Sequence, residues 1–258
     1  MNPSAITGLL AAAGCVAADA EAEELIAASA GDPDALGDLV RRRCRGEPVA
    51  WLTGATAFCG ISVSVAPGVY VPRWQTEPLA RRAAALLPDG GIAVDLCTGS
   101  GAIAATLAAA VPTARVVTSE LDPRAVACAR ANGVEVFEGH LDDPLPRALQ
   151  GHVDVLTSVV PYVPTGALHL LPRDVQAYEP RLALDGGPDG LDLLAELARR
   201  SIRWLGGGGW VLLELGGDQA EQLGWLLSDL DYERIEIMAD EDGDPRAICA
   251  QRPGGRSS

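Results

Sequence analysis

The amino-acid sequence predicts an α/β protein in which a mainly parallel sheet is covered by helices on both faces. From Thr76 onward, short apolar segments of strand length alternate with helical patterns, and this alternation is typical of βα units. The chain has 258 residues, of which 48% are hydrophobic, so it can bury one full α/β domain and a small additional one.

The region before this alternation predicts helices and then a hairpin. Ala-rich and amphipathic patterns over 21–28 and 34–45 are separated by the helix-breaking segment Gly31-Asp32-Pro33. From Thr56 to Val71 the apolar residues follow the two-residue period of a strand, with Gly60 as an interruption. This pattern predicts a β-hairpin that bridges two domains.

The remaining elements alternate along the chain. Strands are predicted at 92–96, 115–119, 134–137, 153–158, 210–215, 235–238 and 247–251. Helices are predicted at 77–87, 102–110, 123–132, 190–205 and 219–230. The last two strands would form an antiparallel pair, and the tail Pro253–Ser258 is expected to be disordered.

Composition argues against several classes of protein. The net charge is −15 and the sequence contains no lysine, so direct binding to a nucleic-acid backbone is not expected. The six cysteines form no C-x-x-C pair, which predicts free thiols in a reducing cytoplasm and no metal site. No apolar run reaches the ~18 residues of a membrane span, and we expect neither a secretory signal nor contact with a membrane.

A glycine-rich turn predicts a nucleotide-like cofactor. Asp95 ends a strand, and the chain then turns through Cys97-Thr98-Gly99-Ser100-Gly101 into a helix. Glycine allows the backbone to approach a ligand closely, and this geometry serves NAD, FAD and S-adenosylmethionine alike. The fingerprint G-x-G-x-x-G is absent because Cys97 holds its first position. An acidic residue before the loop instead suits a ligand with a cationic amino-acid end.

The ends of the next two strands supply further candidate contacts. Glu120 ends the second strand, where a carboxylate can accept both hydroxyls of a ribose. The segment Val136–Asp142 follows the third strand, and a segment in this position usually packs against adenine. His140 either meets the adenine amine or is a solvent-facing loop histidine.

Three further blocks resemble the release-factor glutamine methyltransferases of the HemK type. Gly46–Gly54 (GEPVAWLTG) is similar to the family pattern G-E-P-V/I-A-Y-L-T-G, and Pro67–Glu77 (PGVYVPRWQTE) to P-G-V-L-I-P-R-P-D-T-E. Tyr178–Asp192 follows Y-E-P-x-x-A-L-x-G-G-x-D-G-L. With the glycine-rich loop these make four separated matches in order, within a resemblance that runs from about Gly46 to Ala250.

The resemblance implies a fold, a cofactor and a partner. The fold would be a helical N-terminal domain (1–54), a β-hairpin linker (55–73), a seven-stranded Rossmann-like class I methyltransferase domain (74–252) and the tail (253–258). The partner would be a peptide chain release factor with its Gly-Gly-Gln loop. Residues of the cofactor loop and the neighbouring strand ends would bind S-adenosylmethionine, or lie beside its pocket: Asp95, Cys97, Thr98, Gly99, Ser100, Gly101, Glu120, Leu121, His140, Leu141, Arg73 and Thr76.

The sequence departs from this family where the methyl acceptor should lie. In the family the fourth strand ends in N-P-P-Y, and the Asn oxygen and a backbone carbonyl accept the two N–H groups of the substrate amide. The aligned residues here are Val159, Val160, Pro161 and Tyr162. Valine offers no acceptor, and a buried N–H without a partner costs roughly 1–3 kcal/mol, about ten- to a hundredfold in rate.

Three interpretations remain open from the sequence. Glutamine methylation persists, weakened or helped by another acceptor such as Asp174 or His169. Alternatively, the pocket methylates an oxygen, nitrogen or carbon atom of a small apolar molecule. In the third interpretation the protein binds its cofactor or a partner without turnover. Further departures from the family pattern stand at Gln75, Cys97 and His140, and the last one puts the adenine contact in doubt.

Overall fold

The N-terminal part of the protein is a small helical unit with its own apolar core. The computed structural model describes residues 2–254 and begins with helices α1 (Pro3–Ala12), α2 (Ala18–Ala28), α3 (Pro33–Arg43) and α4 (Val49–Thr53). The side chain of Asp32 caps α3 by accepting the N–H of Asp34 over 2.8 Å. Apolar side chains of the first three helices, among them Leu10 and Leu25, form a separate buried cluster.

The predicted hairpin is present and joins this unit to the sheet domain. Strand β1 (Ala55–Phe58) pairs antiparallel with β2 (Ile61–Ser64). The turn between them contains Cys59 and Gly60, both with positive φ. Phe58 and Val63 are buried in the core on one face of the main sheet, so the hairpin covers that face.

A seven-stranded sheet forms the rest of the protein. Its strands are β3 (Ile92–Leu96), β4 (Arg115–Glu120), β5 (Glu135–Glu138), β6 (Val153–Ser158), β7 (Leu205–Glu214), β8 (Glu233–Ala239) and β9 (Pro245–Gln251). The flanking helices are α5 (Glu77–Leu86), α6 (Ala102–Ala110), α7 (Pro123–Ala131), α8 (Arg173–Tyr178), α9 (Asp192–Ser201) and α10 (Gln219–Asp229). The sheet order is β5-β4-β3-β6-β7-β9-β8, and only β9 runs antiparallel to its neighbours. This confirms the predicted fold class.

Most predicted elements agree with the structure to within about three residues, but the hairpin predicted over 56–71 ends at Ser64, and the boundary between one helix and the next strand is wrong. The helix predicted to reach Leu205 ends at Ser201, and β7 begins at Leu205 instead of Trp210. Leu205 pairs with Val153, so tertiary pairing extends the strand through a run of glycines that has weak strand propensity. The long loop predicted after β6 contains α8 and short 3-10 helices. Of the tail predicted to be disordered, residues 255–258 lie outside the described part of the chain.

The order of the strands fixes where a ligand can bind. The strands that follow β3 in sequence, β4 and β5, lie on one side of it, whereas β6 and β7 lie on its other side. The direction in which strands are added therefore reverses between β3 and β6. Loops diverge at such a switch point and leave a crevice at the carboxyl ends of the strands. Within residues 2–254, no helix is long and apolar enough to cross a membrane.

Candidate active site

A cavity of about 1370 Å³ lies over the carboxyl ends of β3, β4, β6 and β7. It is lined by every residue that the sequence predicted for the cofactor and acceptor sites except Gly101. It also reaches the helical unit, where Glu21, Arg43 and Gly46 line its wall. The cavity therefore brings the predicted cofactor loop and the predicted acceptor segment together.

The turn after β3 is held by the carboxylate of Asp95. Its Oδ2 accepts the Thr98 hydroxyl over 2.5 Å, and its Oδ1 accepts the Thr157 hydroxyl of β6 over 2.7 Å. Asp95 is buried, and burial raises its pKa to about 6 against the opposing effect of these two bonds. The carboxylate thus connects the loop after β3 to the neighbouring strand β6, and it also lines the cavity.

Left-handed backbone shapes the same loop. Cys97, Gly99 and Gly101 have φ of 54°, 58° and 84°. A Cβ at Gly101 would lie 3.1 Å from Val134 and 3.2 Å from the Cβ of Ala129, so this glycine allows α6 to start close to α7. Gly101 therefore does not line the cavity itself but allows the helices behind the loop to pack closely. Cys97 adopts the left-handed region without being glycine, which costs conformational energy at a ligand-facing turn.

The carboxylate of Glu120 joins the end of β4 to the loop. Its Oε2 accepts the N–H of Gly99 over 2.8 Å, and its Oε1 accepts the N–H groups of Leu121 and Asp122 over 2.7 and 2.9 Å. A carboxylate has about four lone-pair sites, and three are used here. Binding of both ribose hydroxyls, as the sequence predicted, therefore requires one backbone N–H to give up its bond.

The segment after β5 closes the cavity beyond Glu120. Leu141 is buried and lines the wall, whereas His140 lies at the surface of the same wall, 4.0 Å from the Asp143 carboxylate. The segment is fixed by Asp142, a buried carboxylate that accepts bonds from Arg200, Arg203 and the Trp204 indole. No local sequence pattern marks this anchor, because its partners lie about sixty residues further along the chain.

The acceptor segment follows β6 directly. Val160 is buried and Val159 is half-buried, packed against the core cluster that contains Val155. The Tyr162 hydroxyl donates to Glu214 over 3.0 Å, and the Tyr162 carbonyl accepts the Gln219 side chain over 2.8 Å. The Tyr162 turn is thus held at both its side chain and its backbone.

Glycines of the Tyr178–Asp192 block allow this turn to pack closely. A Cβ at Gly186 would lie 2.6 Å from the Pro161 carbonyl oxygen, and one at Gly190 would lie 2.1 Å from the Tyr162 carbonyl oxygen. Neither distance is sterically possible, so the block and the turn depend on each other. The two sequence blocks therefore form one structural unit.

Arg73 and Thr76 line the cavity near the acceptor segment. Arg73 forms an ion pair with the buried Glu179, and its guanidinium lies 5.1 Å from the centre of the Tyr70 ring. Thr76 is buried at the start of α5. Both line the cavity beside the acceptor segment, as the sequence resemblance implied.

Glu214 is the acceptor-side residue that the sequence analysis missed. It ends β7, is buried and lines the cavity beside Tyr162. Burial raises its pKa against the opposing effects of Thr76 and Tyr162. Of the two acceptors suggested from the sequence, Asp174 lines the cavity but His169 is exposed and does not line it. An acid at the carboxyl end of a buried strand was the signal that could have identified Glu214.

Comparison with known proteins gives related sequences and a related fold, although no family model matches the chain. The chain is 36% identical over 271 residues to the release factor glutamine methyltransferase of Mycolicibacterium smegmatis, covering 96% of this chain and 95% of that protein. It is 37% identical over 224 residues to the 4-amino-L-phenylalanine/4-methylamino-L-phenylalanine methyltransferase of Streptomyces pristinaespiralis, covering 83% and 75%. A solved methyltransferase from Pyrococcus furiosus shares the fold, with a TM-score of 0.55 and 19% identity over 75% of this chain and 90% of that one.

Proposed function

Because the chain belongs to the release factor glutamine methyltransferase family, we propose that it methylates the side-chain amide nitrogen of a glutamine in a peptide chain release factor. S-adenosylmethionine would supply the methyl group from its sulfonium. The observation that supports this proposal best is the shared cavity, in which the Asp95–Gly101 loop and the Pro161-Tyr162 turn line one space. A release factor substrate also implies the cytoplasm as the place of reaction.

The residues of the chain would act by positioning. Methyl transfer from a sulfonium is an in-line displacement, which enzymes accelerate mainly by alignment and by exclusion of water. Glu120 would hold the ribose, and the loop fastened by Asp95 would hold the amino-acid end of the cofactor. The Tyr162 ring, fixed by its bond to Glu214, would pack on the acceptor group.

The helical unit gives a protein substrate a place to bind. The cavity continues from the acceptor segment to Glu21, Arg43 and Gly46, so a loop inserted into the cavity would touch both parts of the chain. We propose that the chain divides into a helical domain (1–54), a hairpin linker (55–73) and a methyltransferase domain (74–252). The separate apolar core of the helical unit supports it.

A second candidate function is methylation of an aromatic amine on a small amino acid. Val159 presents an apolar side chain where the family places an amide, and this surface suits an aromatic ring better than a primary amide. A relative of comparable similarity is named for 4-amino-L-phenylalanine. An arylamine is also a better nucleophile than an amide, so it needs fewer acceptors to expose its lone pair.

Transfer of label from S-adenosylmethionine tests both functions. The protein would be incubated separately with a Gly-Gly-Gln release factor, with the same factor lacking that glutamine, and with 4-amino-L-phenylalanine. Label on the intact factor alone supports the first proposal, and label on the amine supports the second. Absence of label from all three, with the cofactor still bound by calorimetry, would support the interpretation without turnover and contradict both proposals.

A further inference from the structure

We propose that Glu214 replaces the missing amide at position 159 by accepting an N–H hydrogen bond from the methyl-accepting nitrogen. The inference rests on the proposed function of this site and deepens it. It requires a reacting atom that can donate a hydrogen bond, which the nitrogens of the glutamine amide and of the arylamine both can. A carbon nucleophile offers no such donor.

The sheet register places Glu214 beside Val159. Ser158 pairs with Leu213 in the parallel ladder of β6 and β7. Val159 and Glu214 are the next residues along these two neighbouring strands, so they lie side by side. Residues paired across a sheet point to the same face, and neighbouring strands lie about 4.8 Å apart. The Glu214 side chain therefore lies next to position 159, from which the family's Asn side chain would contact the substrate.

One oxygen of Glu214 is engaged and the other is free. Oε1 accepts the Tyr162 hydroxyl over 3.0 Å. Oε2 is buried and accepts no hydrogen bond of acceptable geometry among the residues that the structure describes, although the Thr76 hydroxyl lies near enough to oppose the rise that burial causes in the pKa of the carboxyl. A buried acceptor without a partner costs about 1–3 kcal/mol, and native proteins rarely keep one without a reason. A substrate N–H entering the cavity would satisfy it.

This contact gives the transferred proton a destination. The nitrogen lone pair forms the bond to the methyl carbon as the carbon–sulfur bond breaks, and the sulfur keeps that electron pair. The nitrogen then carries one proton too many. Glu214 Oε2, already bonded to that N–H in its ionised form, accepts the proton and later returns it to solvent. Tyr162 keeps the carboxylate in place throughout.

The test compares E214Q, V159N and the double variant V159N/E214Q with the wild-type protein. In E214Q the amide oxygen can still accept the Tyr162 hydroxyl, but an NH₂ group replaces the free oxygen. We expect kcat/KM for the acceptor to fall at least tenfold, while cofactor affinity measured by calorimetry stays within twofold. V159N/E214Q should recover activity toward glutamine relative to E214Q, because the amide introduced at position 159 would restore an acceptor. E236Q, the same change on the exposed face of β8, is the matched control.

The outcomes separate the two proposals. If the wild-type protein labels a nitrogen acceptor and E214Q retains its kcat/KM, the role of Glu214 is overturned and the proposed function stands. If the wild-type protein labels neither the release factor nor the amine, the proposed function fails and this inference falls with it. Loss of activity in E214Q, rescue in the double variant and an unchanged E236Q together support the inference.

Discussion

The backbone N–H of Gly99 donates a hydrogen bond to the Oε2 of Glu120 over 2.8 Å, and this bond ties the loop after β3 to the end of β4. The same carboxylate accepts the next two backbone N–H groups of its own chain. Glu120 is therefore fixed before any ligand arrives. A ribose would meet a carboxylate that is already oriented, which lowers the entropic cost of binding.

Replacement of Glu120 by alanine should sharply weaken cofactor binding. The variant loses the anchor of Gly99 and would lose the proposed ribose acceptor, and each hydrogen bond to a charged group contributes about 1.5–3 kcal/mol. We expect the Kd for S-adenosylmethionine, measured by calorimetry, to rise at least tenfold. Glu138→Ala is the matched control, since Glu138 pairs with Glu120 in the ladder but does not line the cavity. Equal affinities in wild type and E120A would remove Glu120 from the site.

Asp95 should make the protein less stable as the pH rises from about 4 to 6. Its pKa is raised by burial from 3.8 to about 6 in the folded protein, so the folded state binds the proton more tightly than the unfolded chain. The contribution to stability is complete below pH 4 and is lost as the carboxyl ionises. We expect a loss on the order of 2–3 kcal/mol. Asp95→Asn should lack it when free energies of unfolding by urea are compared at pH 4 and pH 7. Identical pH profiles would contradict the prediction.

Gly190→Ala should disturb the Tyr162 turn far more than an equivalent change elsewhere. At Gly190 the φ is +77° and a Cβ would lie 2.1 Å from the Tyr162 carbonyl oxygen. Gly133 has almost the same φ, +78°, but no atom within 4 Å of an added Cβ. Both variants carry the cost of a left-handed alanine, about 1–2 kcal/mol. We expect G190A to lose a further 1–3 kcal/mol or so from overpacking, together with methyl transfer. Similar thermal stabilities of the Gly190→Ala and Gly133→Ala variants would show that the Tyr162 turn can shift to make room for the added methyl group.

Asp142→Ala should destabilise the protein by about 1–3 kcal/mol, chiefly because it leaves the buried Trp204 indole N–H without a partner. Arg203 is half-exposed, whereas Arg200 keeps Asp143 and Glu196. Asp143→Ala is the matched control, since Asp143 also accepts a bond from Arg200 but is exposed. Its effect should stay below about 1 kcal/mol. Chemical denaturation measures both. A comparable loss in the two variants would mean that burial of the Asp142 cluster contributes nothing of its own.

Val159→Asn should distinguish the two candidate substrates. Glu214 Oε2 already offers an acceptor to the glutamine N–H, so an amide oxygen at position 159 duplicates it and kcat/KM toward a Gly-Gly-Gln peptide should stay within about threefold of wild type. Toward 4-amino-L-phenylalanine it should fall, because the apolar contact with the ring is lost. Val159→Leu keeps the site apolar and is the control. A rise toward the amine alone would contradict the glutamine proposal.

Much of the fold and of the cofactor side could be predicted from local sequence. Strand periods and breakers gave β3, α6 and β6 with their observed bounds, since each is a short apolar element whose ends are marked by turn residues. The loop at Asp95 and the acid at Glu120 were identified because their chemistry depends on residues close together in the chain. Leu205 was misassigned because its pairing with Val153 is a contact between distant segments.

The sequence by itself determined the α/β architecture, the family and the absence of an amide at position 159, because each is carried by residue types in local order. Only the tertiary structure decided which acceptor lies beside that position. Glu214 lies fifty-five positions beyond Val159, and it becomes its neighbour because β6 and β7 pair in parallel. A strand register is set by packing over the whole sheet, and no local pattern encodes it.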